Sequence, residues 1–253
     1  MGNNRKKWLY HESEEMVEIG SHYVPLKIIK ESRKNVRSSI GKDAVYLRMP
    51  YWTNKKQQDK LKSWCVMWLK NKHNKSGVLH GLRKSEIKDG FTINIQEDQQ
   101  LVVHVQISNR KTGKGQVRGN QIFLSLPSEV VEKDRQDLAR KLINNLLSKK
   151  YHSDFERRVH ELNAEHFQSE VDSVKLRYNY SKWGSCSANN NISLSTRLIF
   201  APGDVVDYVI IHELAHLSEM NHSRRFWKLV EEAMPSYAQH EKWLKDNAWQ
   251  CDY

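Results

Sequence analysis

The stretch DVVDYVIIHELAHLSEMNHSRRFW, residues 204–227, contains the pattern H-E-x-x-H at His212, Glu213 and His216. Residues four apart on a helix are separated by about 40° around the axis and about 6 Å along it. Two imidazoles at this spacing can bind one metal ion from one helix face, with the carboxylate of Glu213 beside that face. The pattern therefore predicts a metal-binding helix near the C-terminal end of the chain.

The residues around this pattern favour a buried helix. Asp204 is the predicted N-cap, with Asp207 in the first turn, where negative charge is favourable. Apolar residues follow at mixed three- and four-residue spacings and cover more than one stripe of the helix. A packed helix holds its ligands in fixed positions. The apolar set is Val205, Val206, Val209, Ile210, Leu214 and Leu217.

A third histidine, His222, follows His216 by six residues. On a straight helix this spacing would place it about 240° away from the first two, off the metal-binding face. The chain must therefore turn after Leu217 if His222 is a ligand, and Asn221 is a suitable turn residue. Ser223 is then the predicted N-cap of a second helix over residues 224–234.

The alternative is that the two histidines are core residues bonded to backbone carbonyls. Two polar rings and a carboxylate on so apolar a helix would be costly to bury without a partner, which favours the metal site.

A second histidine motif, at residues 160–166, is less convincing as a metal site. His160 and His166 flank Glu161, but they are six residues apart on an uninterrupted helical pattern, which indicates solvated helix surface.

Composition narrows the class of protein. The 253 residues are 38% hydrophobic, enough for one large domain or two small ones. No apolar run approaches the roughly 20 residues of a membrane span, and residues 1–10 show no secretory signal, so no membrane contact is expected. The three cysteines are odd in number, far apart and without a C-x-x-C pattern. A reducing cytoplasmic location is the expectation.

Positive charge is concentrated in the N-terminal third. Residues 1–88 hold 20 Lys and Arg against 8 Asp and Glu, whereas the other 165 residues hold 21 against 22. A basic face of this kind is able to bind nucleic acid or an acidic protein. The alternative is a solvated lysine-rich surface, since Lys outnumbers Arg and no named nucleic-acid motif is present.

The remaining periodicity predicts a mixed fold without an internal repeat. Residues 192–198 are predicted to form a strand beside the metal-binding helix, able to pair with an extended peptide. The loop at residues 181–191 precedes this strand. The other predicted strands are 23–29, 36–40, 44–49, 91–95, 101–107, 121–126 and 174–180, and the predicted helices are 54–72 and a long tract after residue 127 with a kink near 151–153.

Several segments together resemble the YgjP-type family of zinc metallopeptidases, which is related to SprT-like proteins in the zincin group. The resemblance is strongest over residues 174–247 and recognisable at residues 33–50. The family typically has Arg where Lys182 stands and Asn where Ser195 stands. The matching segments are KWGSCS (182–187), ISL (192–194), LI-x-AP (198–202), DYV (207–209), HELAHL (212–217), NHS-x-x-FW (221–227), Pro235 and Trp243 with Leu244.

This resemblance implies an α+β zincin-like fold, with the active-site helix beside a short sheet. Residues 1–128 would form a β-rich basic N-terminal region and residues 129–253 the catalytic region, or both would form one continuous domain. His212, His216 and His222 would bind Zn²⁺. Glu213 would be the general base for a zinc-activated water that hydrolyses a peptide or protein substrate. Three neutral imidazoles leave zinc a fourth position for water, whose pKa falls toward about 7.

The loop at residues 181–191 supplies further candidates. Lys182, Trp183 and Ser185 are expected near the active-site helix, where they could contact substrate or an oxyanion, although packing is the simpler role for Trp183.

Two other functions of the protein remain open. One is a DNA-associated, SprT-like protease that uses the basic N-terminal third. The other is a non-catalytic binding module with a structural zinc ion.

Overall fold

The computed structural model describes residues 11–19, 22–41, 44–76, 86–95, 99–251 and 253. The chain divides into two compact units, Met1–Lys84 and Ser85–Tyr253. Each unit has its own hydrophobic core.

The first unit is a four-stranded sheet with a helix on one face. Alternate residues of its strands, such as Leu26 and Leu47, are fully buried and pack with Cys65 and Leu69 of the helix. The sheet has the order β1-β2-β4-β3, in which only β2 and β4 run parallel. The elements are β1 His11–Ile19, β2 His22–Glu31, β3 Arg37–Ile40, β4 Val45–Pro50 and helix α1 Lys55–Ser76.

The second unit begins with another four-stranded sheet. Its order is β5-β6-β8-β7, and only β6 and β8 run parallel. Its buried face packs on a long helix, α2. Leu146 of α2 approaches Gly115 so closely that a Cβ there would lie 2.8 Å from its Cδ1. The elements are β5 Phe91–Asn94, β6 Gln100–Ser108, β7 Lys114–Arg118, β8 Gln121–Pro127 and α2 Glu132–His166.

The two sheets are copies of one ββββα arrangement, so the expectation of no internal repeat is wrong. They share strand order and pairing directions. A shift of 77 residues carries Pro50 at the end of β4 onto Pro127 at the end of β8. The same shift carries the helix start at Lys55 onto Glu132. Strand register agrees too, since Pro50 pairs with Glu31 and Pro127 with Ser108.

The boundary between the compact units differs from the division after residue 128 that the sequence suggested. Residues 91–127 belong with the second unit because their sheet shares a continuous core with α2. Helix α2 runs without interruption over 35 residues, so the chain does not leave the helix near 151–153, where a kink was expected. Tyr151, His152 and Ser153 include no proline or glycine to break it.

The rest of the second unit is a three-stranded sheet followed by three helices. The sheet has the order β10-β11-β9, and the 3₁₀ turn Thr196–Phe200 follows it. Together with the first two sheets, these elements make the fold α+β, as predicted. The elements are β9 Ser173–Arg177, β10 Gly184–Cys186, β11 Asn191–Ser195, α3 Gly203–Ala215, α4 Arg224–Ala233 and α5 Tyr237–Asn247.

Two sequence predictions in this region need correction. Residues 192–198 do not form one strand, because β11 ends at Ser195 and a 3₁₀ turn follows. Nor is β11 open to an added peptide, since it lies between β10 and β9 and both of its edges are paired. The edge strands are β9 and β10, and β10 lies within the segment that the sequence suggested was a loop. Within the described residues, no helix combines the length and apolar character that a membrane crossing requires.

Candidate metal centre and active site

Helix α3 carries the first half of the site and is held from both sides. It starts two residues earlier than expected, with Pro202 rather than Asp204 at the N-cap. Val209, Ile210 and Leu214 are buried in the core. Near its N-terminus, the guanidinium of Arg158 on α2 donates to both carboxylate oxygens of Asp207, at 2.8 and 2.7 Å. This bidentate pair joins α3 to α2 and favours one orientation of the helix.

The structure brings the three predicted histidines together. His212 lies in the last turn of α3, His216 is its C-cap, and His222 follows the turn that precedes α4. One ring nitrogen from each histidine lies within 4.8 Å of the other two. The Nε2 atoms of His212 and His222 are 3.0 Å apart. The predicted turn after Leu217 exists, and Ser223 caps α4 by accepting the backbone N–H of Phe226 at 3.3 Å.

This donor set fits a zinc ion. Two nitrogens bound tetrahedrally at about 2.0–2.1 Å would be roughly 3.3 Å apart, close to the observed separation of His212 and His222. Nδ1 of His216 donates to the carbonyl of Glu219 at 3.0 Å, which leaves its Nε2 as the lone-pair donor. Burial lowers the pKa of His212 to about 4, helped by His216 and His222, and burial also lowers the pKa of His216. Both rings are therefore neutral near pH 7, as metal ligands must be.

Aromatic residues support the three histidines from α4. Phe226 is fully buried, and its ring centre lies 4.5–4.9 Å from those of all three imidazoles. Trp227 stacks on His222 at 5.8 Å and on Tyr237 at 5.4 Å. Packing of this kind restricts the rotamers of the rings, so that their nitrogens face one point.

Glu213 is buried next to this cluster and is held by strand β10. Only 5% of it is exposed. The backbone N–H of Cys186 donates to its carboxylate, and Lys182 lies near enough to act on it electrostatically. Burial nevertheless outweighs both effects and raises the pKa of Glu213 to about 7. A carboxylate with this pKa is suited to accept and return a proton near neutral pH.

A cavity of about 320 Å³ opens beside His212 and Glu213. Trp183 and Gly184 form the wall on the β10 side, so Trp183 lies close to the helix that carries His212 and Glu213. Ser185 pairs with Ser193 within the sheet and is not part of the lining. The remaining lining residues are Tyr208 and Val209 of α3 and Glu241, Leu244 and Lys245 of α5.

Sequence reasoning missed the contribution of α5 to this cavity. Leu244 entered only as part of the family resemblance, and Glu241 and Lys245 had no role. The sequence did contain a signal for α5, because Trp243 and Leu244 lie in a short helix-compatible segment after Pro235. What the sequence could not show is that this helix packs near α3.

Comparisons with known proteins identify a family for this chain. A comparison with curated proteins found no match. Among solved structures, the metallopeptidase zymogen jannalysin of Methanocaldococcus jannaschii is 18% identical over 36% of this chain and 93% of that one, with a TM-score of 0.33. The zymogen abylysin of Pyrococcus abyssi is 22% identical over 36% of this chain and 92% of that one, with the same TM-score. The family model "YgjP-like, metallopeptidase domain" matches residues 34–247, most of the sequence. The chain therefore belongs to the YgjP-like metallopeptidase family.

Proposed function

We propose that this protein is a zinc-dependent metallopeptidase in which His212, His216 and His222 hold Zn²⁺ and Glu213 is the general base. One observation carries the proposal. Three imidazole nitrogens lie within 4.8 Å of one another, next to a buried carboxylate, in a chain of a metallopeptidase family. Three imidazoles without a carboxylate or thiolate ligand suit zinc among the common protein metals. The substrate is a peptide or protein.

The roles of the protein groups follow from their positions. When bound, Zn²⁺ polarises the scissile carbonyl and acidifies water at the site. Glu213 takes the proton of the attacking water and returns it to the nitrogen of the leaving amine as the C–N bond breaks. The Cys186 N–H holds the carboxylate in place through this exchange. Lys182 is near enough to influence its charge, and Trp183 borders the space where substrate would lie.

The decisive experiment is Glu213→Gln in the zinc-loaded protein, assayed on a mixed peptide library. Loss of the base should lower hydrolysis by at least about 1,000-fold, near the upper range for one acid–base group, with zinc content unchanged. Glu231→Gln, on the exposed face of α4, is the matched control and should retain full activity. Undiminished hydrolysis by the Glu213→Gln protein would contradict the assigned role.

The non-catalytic alternative is less well supported. A purely structural zinc site is normally closed by four protein ligands. Here, among the described residues, the group of potential ligands comprises three histidines, with a cavity beside them. If the zinc-loaded protein cleaves no peptide while binding zinc tightly, this alternative replaces the proposed function.

A nucleic-acid-associated protease is the second candidate, and the charge asymmetry favours it. The net +12 of residues 1–88 would attract a polyanion. Binding of a DNA duplex should then weaken steeply as salt rises, and absence of binding at low salt would exclude this candidate. We propose a cytoplasmic location, because Cys65 and Cys186 are free thiols.

A further inference from the structure

Arg197 is a buried charge beside the candidate active site. It lies in the 3₁₀ turn after β11, and only 7% of it is exposed. Among the described residues, no carboxylate lies within ion-pair distance of its guanidinium. Burying a guanidinium without a counter-charge is unfavourable unless its donors are well satisfied. The arrangement around Arg197 therefore needs a physical explanation.

The guanidinium is satisfied by three backbone carbonyls from two separate segments. Nη1 donates to the carbonyl of Tyr180 at 2.9 Å, in the segment that leads into β10. Nε and Nη2 donate to the carbonyls of Cys251 and Ala248 at 3.2 and 2.6 Å, after α5. Arg197 thus joins two segments whose neighbours, Trp183 and Leu244, both line the cavity.

The same guanidinium stacks on the ring of Trp183. Its central carbon lies 4.3 Å from the indole centre and 5.3 Å from the ring centre of Tyr180. The main chain of Trp183 is also fixed, because its carbonyl accepts the N–H of Ser195 at 2.8 Å. A planar cation over the indole face fixes the ring that borders Glu213.

The cavity itself favours an apolar guest. Val209 and Leu244 are 3% and 7% exposed, and the indole of Trp183 adds a flat apolar wall. The two charges of α5, Glu241 and Lys245, pair with each other at 2.7 Å and so largely neutralise one another. The cavity therefore lacks an unpaired charge on α5 to recognise an ionic side chain.

We propose that Arg197 is a positioning residue, which fixes Trp183 as the wall of a cavity that takes an apolar substrate side chain next to the scissile bond. This inference rests on the proposed peptidase function. Lysine cannot replace Arg197, because an ammonium group lacks the planar fork that reaches three carbonyls while stacking on an indole. Arg197 acts through Trp183 and does not touch the reacting atoms.

The test uses zinc-loaded full-length protein and a peptide library varied at the residues flanking the cleaved bond. Wild type should prefer leucine, methionine or phenylalanine at one flanking position. Trp183→Leu should weaken that preference. Arg197→Lys should weaken it too, raising KM by about 10-fold for the preferred peptide with a smaller change in kcat, as expected for lost substrate binding.

A double-mutant cycle decides whether Arg197 acts through Trp183. In the Trp183→Leu background, Arg197→Lys should change KM by less than about 2-fold, because coupled residues are not additive. Arg177→Lys is the matched control. Arg177 is exposed and bonds Ser193 on the sheet, and its substitution should leave the preference unchanged.

Contrary outcomes separate this inference from the proposed function. If Arg197→Lys lowers the melting temperature but leaves side-chain preference and KM unchanged, Arg197 is merely structural. Should that variant fail to fold, Trp183→Leu decides alone, and an unaltered preference overturns the inference. A zinc-loaded wild type that cleaves nothing overturns the proposed function, and this inference with it. A wild type that cleaves without apolar preference overturns this inference alone.

Discussion

Gly184 lies directly against Glu213. A Cβ built on Gly184 would lie 2.5 Å from Oε1 and 2.6 Å from Cγ of Glu213, closer than non-bonded atoms approach in proteins. The backbone of β10 thus forms one side of the pocket that buries the carboxylate. Because Glu213 is also held by the N–H of Cys186, it has little room to move away from an added methyl group.

We therefore predict that Gly184→Ala lowers peptide hydrolysis by about 100-fold, since displacement of a reacting group by about 1 Å has effects of that size. Zinc content should stay at the wild-type level, because the three atoms nearest to the added Cβ all belong to Glu213 and none to a histidine. The control is Gly203→Ala at the start of α3, where an added Cβ meets nothing within 4 Å. Equal activity of both variants would contradict the close packing described here.

The proposed zinc site gives a second prediction. His222→Ala should lower zinc affinity by at least about 100-fold, beyond the loss typical of an outer-shell partner. His160→Ala removes an exposed histidine from the sequence motif that resembles a metal site and should leave zinc affinity unchanged. Competition with a fluorescent zinc chelator measures both values. Zinc should also raise the melting temperature of wild type, because it binds the folded state.

The pH dependence of stability in the metal-free protein gives a third prediction. The pKa of Glu213 is raised to about 7, so the folded state holds its proton more tightly than the unfolded state. This contribution to stability is present below about pH 4.5 and lost as pH rises through 7. The lowered pKa of His212, about 4, acts oppositely and makes stability rise between about pH 4 and 6.5.

Glu213→Gln separates these two effects. Without the titrating carboxylate, the metal-free variant should gain stability relative to wild type as pH rises from 4.5 to 7.5, by about 2–3 kcal/mol. Urea unfolding at both pH values, with chelator present, measures the difference. A difference that does not vary with pH would mean that Glu213 titrates normally in the folded protein.

The active-site pattern was largely predictable from sequence because its information is local. Three histidines, a glutamate, a turn and a cap all lie within residues 204–227, and the structure brings the histidines together. The cavity could not be predicted in this way. Trp183, Val209 and Leu244 are separated by 26 and 35 residues along the chain, and only tertiary packing places them around one space.

The internal repeat was hidden for a related reason. A strand needs only alternating apolar residues, and a helix needs only an apolar stripe. Because many different sequences meet these two requirements, two copies of one fold can have dissimilar sequences. Matching positions such as Leu47 and Leu124, or Pro50 and Pro127, are too scattered to stand out. Strand β1 was missed because four of its nine residues are glutamates, which are uncommon in strands.

The link between α2 and α3 gives a fourth prediction. Asp207→Asn removes the charge that accepts two hydrogen bonds from Arg158. Because Arg158 is 40% exposed and Asp207 is 21% exposed, solvent screening limits the loss of stability to about 1 kcal/mol. Asp154→Asn is the control, since Asp154 meets Arg157 at 3.4 Å on the open surface. The loss of stability caused by Asp207→Asn should be smaller at high salt, because salt screens the ion pair.

The repeat supplies a last prediction, because equivalent positions in the two units face their helices differently. Ser38 in β3 corresponds to Gly115 in β7 after the shift of 77 residues. Ser38 donates to the thiol of Cys65 at 3.1 Å, whereas a Cβ on Gly115 would lie 2.8 Å from Leu146 and 3.0 Å from Leu124. Gly115→Ala should therefore overpack the second unit and destabilise it by about 1–3 kcal/mol.

Ser38→Ala, the matched change in the first unit, loses one hydrogen bond to sulfur and should lower stability by no more than about 1 kcal/mol. Thermal unfolding measures the total loss of stability in each variant. Native-state hydrogen exchange then shows which unit has been destabilised, since exchange reports local opening. If Gly115→Ala were as mild as Ser38→Ala, the side chains of Leu146 and Leu124 would have to rotate away from the added methyl group without strain.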